Sequence, residues 1–457
     1  MKHRIDPEGK RLPIKLDSTS NGEFAPVPLR PANLEANRLA RESASVFSRK
    51  LGLSRRSFLL SSCGAAATLL SFNAANAAAG RSGGFFDLPK DAAQDEPLAR
   101  AQVGPAKDEF IFDVQGHFID TPKGNAKSAE VFVKDVFMDS DTDVMVLSFV
   151  PSRRDAEPVT IQAADAMRRV VEKLEGTHRL LLHGRVNPNQ PGDLEGMDEL
   201  KEKWGVSAWK TYTQLGPGGK VYFLSDDVGT RFIEKARALG VKTVCVHKGL
   251  PFGPRSYEHS QCSDVGVVAK RFPDVNFLIY HSGFVTGVRE QAYEPGRDGI
   301  DTLVSSLQKN SVSPGSNVYA ELGSTWRFLM RDPEQAAHAL GKLLLYVGEN
   351  NILWGTDSIW YGSPQDQIQA FRAFQIAPTL REKHGYLEIT PDLRAKIFGR
   401  NAAKVYGLSA ADVKRYTSRD SVARERTAYL ENPQPHFETY GPKTRRQFFQ
   451  YLQHQLL

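Results

Sequence analysis

The chain has 457 residues, 25% of them charged and 40% hydrophobic, a composition ordinary for a globular protein and long enough for one large barrel domain with extensions. Its net charge of +6 is confined to the N-terminal region: residues 1–77 hold 12 of the 59 Lys+Arg and 6 of the 53 Asp+Glu, leaving 47 of each for the remainder. A remainder with no net charge gives no support to the basic face that nucleic-acid binding requires.

In chain order, the first feature is Ser54-Arg55-Arg56-Ser57-Phe58-Leu59-Leu60, followed by an apolar, small-residue stretch and then Ala75-Asn76-Ala77. A charged region, a hydrophobic region and an A-x-A site in that order predict a secretory leader over residues 1–77. The paired arginines before Phe-Leu resemble a twin-arginine export signal. That resemblance implies the twin-arginine export machinery as a partner, cleavage near Ala77 and a periplasmic or secreted product. The competing readings are a surface helix and an uncleaved anchor. Ser61, Ser62, Cys63 and Gly64 interrupt the apolar stretch, so no stable membrane span is expected after cleavage. Only Cys245 and Cys262 would then remain, too few for a disulfide framework.

Residues 78–107, rich in Ala, Gly, Asp and Pro, read as a linker. Eight β-type runs follow at roughly 110–116, 143–149, 179–186, 206–212, 242–247, 276–281, 317–322 and 351–356, with helix-like stretches between them. Repeated strand then helix predicts an α/β fold, a (β/α)8 TIM barrel over 108–408. An open doubly wound sheet would place a phosphate-binding glycine turn after the first strand, and DVQGHFIDTP is not one. Residues 409–457, strongly charged and ending in RRQFFQYLQHQLL, read as a helical C-terminal extension that packs on the barrel or on a partner subunit.

Four of the apolar runs end in polar groups: Gln115 and His117, His247, His281, and Asp357. Barrels build active sites from such strand ends. Residues 113, 115 and 117 share one side of a strand, which would project Gln115 and His117 together. Imidazoles and a carboxylate suit zinc, iron or manganese, and burying them together costs several kcal/mol unless they are paired or coordinated.

With these residues in this order, the sequence resembles the amidohydrolase superfamily, in the branch containing aminocarboxymuconate-semialdehyde decarboxylase. The first-strand motif Asp-x-His-x-His stands here as Asp113-Val114-Gln115-Gly116-His117. The fifth-strand His falls on His247, the sixth-strand His on His281 in IYHSG and the eighth-strand Asp on Asp357 in WGTDSIW. The resemblance implies that His117, His247 and Asp357 bind one divalent ion, zinc or manganese, with Asp357 also serving as base and His281 orienting or protonating the substrate. It implies an exported hydrolase cleaving a C–O or C–N bond in a small, carboxylated cyclic or aromatic compound, with decarboxylation as the alternative. A catalytically silent ligand-binding barrel is a third reading, and homodimers are frequent in the branch.

Gln115 departs from the motif. Its amide oxygen would ligate the ion, or lie behind the ligands, or mark a site that works without metal. Lys210, Arg185, Tyr212 and Trp360 are expected to contact substrate, and Arg153 and Arg154 are further candidates for holding an anion. Glu321 would support a ligand, and a second metal at His259 and Cys262 carries little weight.

Overall fold

The computed structural model describes residues 9, 11–118, 129–152, 157–172, 177–251 and 257–455. One short strand, β1 (Gly84–Phe86), lies outside the barrel. The barrel consists of β2 (Phe112–Gly116), β3 (Val144–Leu147), β4 (Leu180–Arg185), β5 (Ala208–Tyr212), β6 (Thr243–His247), β7 (Asn276–Tyr280), β8 (Val318–Glu321) and β9 (Ile352–Leu353). Each pairs in parallel with the next in chain order. Bonds from Val114 N–H to the Trp354 carbonyl (3.0 Å) and from Asp357 N–H to the Gln115 carbonyl (2.9 Å) join the end of the last strand to the first. The eight strands fall on the eight predicted runs. Both faces of these strands are covered, so they read as continuous apolar runs rather than alternating ones.

Helices such as Asp227–Ala238, Ile300–Lys309 and Pro333–Tyr346 cover the outside of the barrel. In the first, Phe232, Ile233 and Ala236 share the buried stripe that a 3.6-residue period produces. The last begins at Pro333, where a missing N–H costs nothing, and Asp332 caps it by accepting from Gln335 N–H.

The segment composed like a linker is structured. β1 pairs antiparallel with β10 (Phe374–Ile376), and helix Glu96–Val103 buries Ala99 and Val103. Short polar and small residues hid these elements, because their apolar positions are too few to show a period.

The N-terminal region is also folded against the barrel. Helices Pro31–Lys50 and Ser62–Ala78 pack along each other. Ala36, Leu69, Phe72 and Ala75 belong to the same core as barrel residues Val244 and Phe277. No described helix is long and apolar enough to cross a membrane. Ahead of these helices, residues 12–24 form no helix or strand, yet every one is buried.

This N-terminal strap runs between the barrel mouth and the C-terminal extension. Lys15 Nζ donates to the Tyr361 carbonyl (2.8 Å), Asp17 pairs with Arg327 (2.6 Å), and Ser20 N–H donates to the Pro442 carbonyl (2.8 Å). The extension is anchored in turn by Asp420, which receives Arg179 Nε (2.6 Å) and Nη2 (2.8 Å).

Candidate active site

The strand ends bring five sequence-singled residues to one place. Gln115 closes β2 and His117 follows it, His247 closes β6, His281 follows β7, and Asp357 lies four residues beyond β9. All are 0–2% exposed. The β2 and β9 ends are tied by Asp113, which accepts from Gln115 N–H (3.0 Å), Thr356 N–H (3.1 Å) and the Thr356 hydroxyl. Burial pushes the Asp113 carboxyl up to about 7, against the pull of those donors. His281 and Asp357 both adopt left-handed backbone, with φ of 65° and 60°. Such conformations cost about 1–3 kcal/mol and persist where surrounding contacts over-determine them.

Those contacts are present. Glu321 accepts from His281 N–H (3.0 Å) and Gly323 N–H (2.5 Å), and the Gly323 carbonyl faces His281 Nδ1 at 2.7 Å. Glu321 thus supports the backbone of His281 as expected of a residue behind the ligands. Burial drives its own carboxyl well above the usual range, despite the two backbone donors.

The imidazoles share one pattern. His117 Nδ1 lies 3.1 Å from the Ser148 carbonyl, His247 Nε2 lies 3.0 Å from the Gly249 carbonyl, and His281 Nδ1 faces Gly323 as above. A carbonyl only accepts, so each of these nitrogens carries the proton. The opposite nitrogens then present lone pairs to carboxylates. His117 Nε2 lies 2.8 Å from Asp357 Oδ1, His247 Nδ1 lies 3.3 Å from Glu23 Oε1, and His281 Nε2 lies 3.4 Å from Glu23 Oε2. Burial brings the His281 pKa down to about 4, so its ring is neutral near pH 7. Acceptors facing acceptors in a buried site require a cation between them, either protons or a metal ion. The mixed nitrogen and oxygen donor set fits one divalent ion, and imidazoles backed by carbonyls are how metal-binding histidines are oriented.

Glu23 and Asn21 are the functional residues that sequence reasoning missed. Both lie in the strap, in STSNGEF, where no period or motif marks them. One Asn21 amide nitrogen donates to Glu23 Oε2 and to Asp357 Oδ2, each at 2.5 Å. Glu23, His247 and His281 offer donor atoms that all lie within 4.8 Å of one another. Of the expected ligands, His117 and Asp357 face each other, while His247 lies beside them with His281 and the unexpected Glu23. Gln115 spans them, its amide nitrogen 3.1 Å from Asp357 Oδ1 and 3.5 Å from His281 Nε2, while its Oε1 has no hydrogen-bond partner among the described residues.

Burial works to raise the Asp357 carboxyl, but His117, His281 and the Ser324 hydroxyl (2.5 Å) together hold it below the usual range. Burial likewise raises Glu23, and His247 and His281 bring it down.

Of the expected substrate contacts, Lys210 and Tyr212 line the centre. Lys210 Nζ is buried without a hydrogen bond, 3.7 Å from the Tyr280 ring centroid, and burial lowers its pKa to about 8. Tyr212 stacks on His247 with centroids 5.0 Å apart and donates to the Phe149 carbonyl (2.8 Å). Trp360 stands between His117 (6.5 Å) and Tyr451 of the C-terminal helix (5.3 Å). Arg185 is engaged elsewhere, its guanidinium paired with Glu157 and with Asp193 (3.2 Å) beside a cavity of about 240 Å³. Two carboxylates already neutralise it. Arg153 and Arg154 lie outside the described residues. His259 stacks on Phe223 (4.4 Å), and Cys262 is buried beneath Gly283.

Residues 112–408 match the family described as Amidohydrolase. Among curated proteins, none matches. Similar solved structures include 2,6-dihydroxybenzoate decarboxylase from Rhizobium, at 16% identity and a TM-score of 0.41 over 66% of this chain and 99% of that one. They also include 5-carboxyvanillate decarboxylase from Novosphingobium aromaticivorans, solved with manganese, at 13% identity and a TM-score of 0.43 over 66% and 100%. A third, 4-oxalomesaconate hydratase from Rhodopseudomonas palustris, shares 14% identity at a TM-score of 0.40 over 67% and 98%.

Proposed function

We propose, because this chain belongs to the amidohydrolase family, that it is a metal-dependent hydrolase cleaving a C–O or C–N bond in a small, carboxylated cyclic or aromatic compound. The observation that carries the reading is the set of three imidazole lone pairs facing two buried carboxylates. His117, His247 and Asp357 would hold one ion, zinc or manganese, with the Gln115 amide beside them. When bound, such an ion polarises a carbonyl and makes water a better nucleophile at neutral pH.

The remaining work falls to the chain. Asp357, held ionised, accepts a proton at its carboxylate while Ser324 and Asn21 fix its orientation. His281, neutral with its Nε2 lone pair toward the centre, orients the substrate through that atom. Lys210 Nζ lacks a hydrogen-bonding partner and suits a substrate carboxylate, while Tyr212 and Trp360 form aromatic walls.

The enclosure of the centre favours a second reading in the same family, loss of CO2 from an aromatic carboxylate. That reaction adds no water, and every group at the centre is nearly inaccessible to solvent. Both readings are tested by incubating the metal-loaded full chain in H2¹⁸O with aryl esters, amides and lactones and with hydroxybenzoates. Solvent ¹⁸O in the organic product supports hydrolysis, and release of CO2 with no solvent ¹⁸O in the aromatic product supports the lyase. A protein that turns over none of these and holds no metal would be a ligand-binding barrel.

A further inference from the structure

We propose that Glu23, carried into the barrel mouth by the N-terminal strap, is a ligand of the metal ion. The inference rests on the metal-centre reading above and adds to it a ligand from outside the eight strands.

Glu23 comes from a segment that precedes the barrel by more than eighty residues, yet its two oxygens lie 3.3 Å from His247 Nδ1 and 3.4 Å from His281 Nε2. Both of those nitrogens are the lone-pair ends of rings whose other nitrogen faces a backbone carbonyl. The carboxylate is therefore aimed at two acceptors, an arrangement that a divalent ion held by Glu23 and His247, with His281 beside them, would satisfy. A carboxylate with two imidazoles is a common divalent-metal donor set. The strap is built to hold it there. Asn21 orients Glu23 Oε2 from one side, the Asn21 side-chain oxygen Oδ1 accepts from Glu23 N–H (2.9 Å), and residues 12–24 are buried between barrel and extension.

Charge supplies the second argument. Gln115, beside Asp357 and His281, brings no charge, whereas Glu23 contributes a full negative charge within the same cluster. With neutral imidazoles, Glu23 and Asp357 together match a divalent ion. The buried oxygen of Gln115 that has no partner completes a set rich in hard donors.

The test uses full-length protein, stripped with chelator and titrated with Zn²⁺ or Mn²⁺ alone against a competing chromophoric chelator, with metal content measured by mass spectrometry. Wild type is expected to bind one ion per chain. Glu23→Gln is expected to bind it more weakly by at least the ~10–100-fold that loss of an outer partner costs, with Glu23→Asp intermediate. A measurement on wild type alone guards against a variant that does not fold. If Glu23 ligates the ion, metal at ~100 times its Kd slows tryptic cleavage after Lys15 by roughly 10–50-fold, since the opened strap leaves the other ligands to bind the ion ~10–100-fold more weakly. Equal affinities for wild type and Glu23→Gln, or cleavage after Lys15 indifferent to metal, would overturn the assignment and leave the metal centre standing. Failure of wild type to bind either ion overturns both.

Discussion

Removing the Asp17 carboxylate should free the N-terminal strap. Asp17 is 1% exposed and receives Arg327 Nη2 (2.6 Å), Thr19 Oγ1 (2.9 Å) and Thr439 Oγ1 (3.0 Å). Asp17→Ala leaves a buried guanidinium whose only charge partner among the described residues has gone, a change that costs about 3–5 kcal/mol. Arg327 keeps a bond to the Lys15 carbonyl and its place 5.4 Å from the Tyr361 ring, so the low end, about 3 kcal/mol, applies. Opening the strap lets water reach Arg327 and relieves the penalty, so the loss appears as local opening before global unfolding. About 3 kcal/mol corresponds to roughly a 150-fold larger open population. Where reclosing outpaces cleavage, the rate of tryptic cut after Lys15 rises by that factor. Asp17→Asn, which still accepts from the two threonines, should fall between. The assay is mass-resolved limited proteolysis beside urea unfolding. An unchanged cleavage rate after Lys15 in Asp17→Ala would refute the anchoring role, whatever the global stability does.

Three further outcomes follow from the centre. Burial lowers the Lys210 pKa from 10.5 to about 8, so the unfolded chain binds more protons between those values and stability rises with pH across about 8–10.5. Lys210→Met should abolish that rise and stabilise the protein at pH 7 by as much as ~3 kcal/mol, at one pKa unit per 1.36 kcal/mol, while weakening carboxylate binding; calorimetry across the pH range checks both. Gln115→Glu would set a third carboxylate where an amide now donates to Asp357 over 3.1 Å, so its metal-free form should melt lower than wild type and gain more on adding Mn²⁺. No difference in that gain would place residue 115 away from the ion. Gly355→Ala would put a Cβ 1.6 Å from Glu321 Oε1, which must shift and release the His281 backbone. The expected result is loss of metal binding and activity along with stability, and a variant that retains full metal affinity would show that His281 does not depend on Glu321.

The barrel was legible because its strands are buried on both sides and announce themselves as apolar runs, and because the polar group ending each run breaks that pattern. Gln115, His117, His247, His281 and Asp357 could be found this way. Glu23 and Asn21 could not, since a strap without helix or strand has no period, and its buried polar residues are explained only by partners far along the chain, such as Arg327 and Thr439. Arg185 reads like an anion site from its strand end, but the acids that occupy it, Glu157 and Asp193, lie in loops whose approach no local pattern foretells. The stretch from 78 to 107 conceals β1 because three residues are too few to alternate, and its pairing with β10 is a tertiary fact.

An export leader and a strap would place opposing demands on the same residues. Ser62–Ala78 has the small, apolar composition of a signal region. The same composition lets a helix approach a neighbour closely, and Ala65, Leu69 and Phe72 are fully or almost fully buried in the barrel's core. Arg55 and Arg56 are exposed and available to a receptor. Cleavage near Ala77 would remove Glu23, the strap and both long N-terminal helices, uncovering His247 and His281 together with a broad apolar face. A chain exported whole would keep them. We propose that the N-terminal region stays with the functional protein, since the centre is assembled from it. The mass of the protein recovered from expressing cells in active, metal-bound form decides the matter: a chain retaining residue 23 is expected, and an active chain beginning near residue 78 would show that the strap covers the site before maturation rather than completing it.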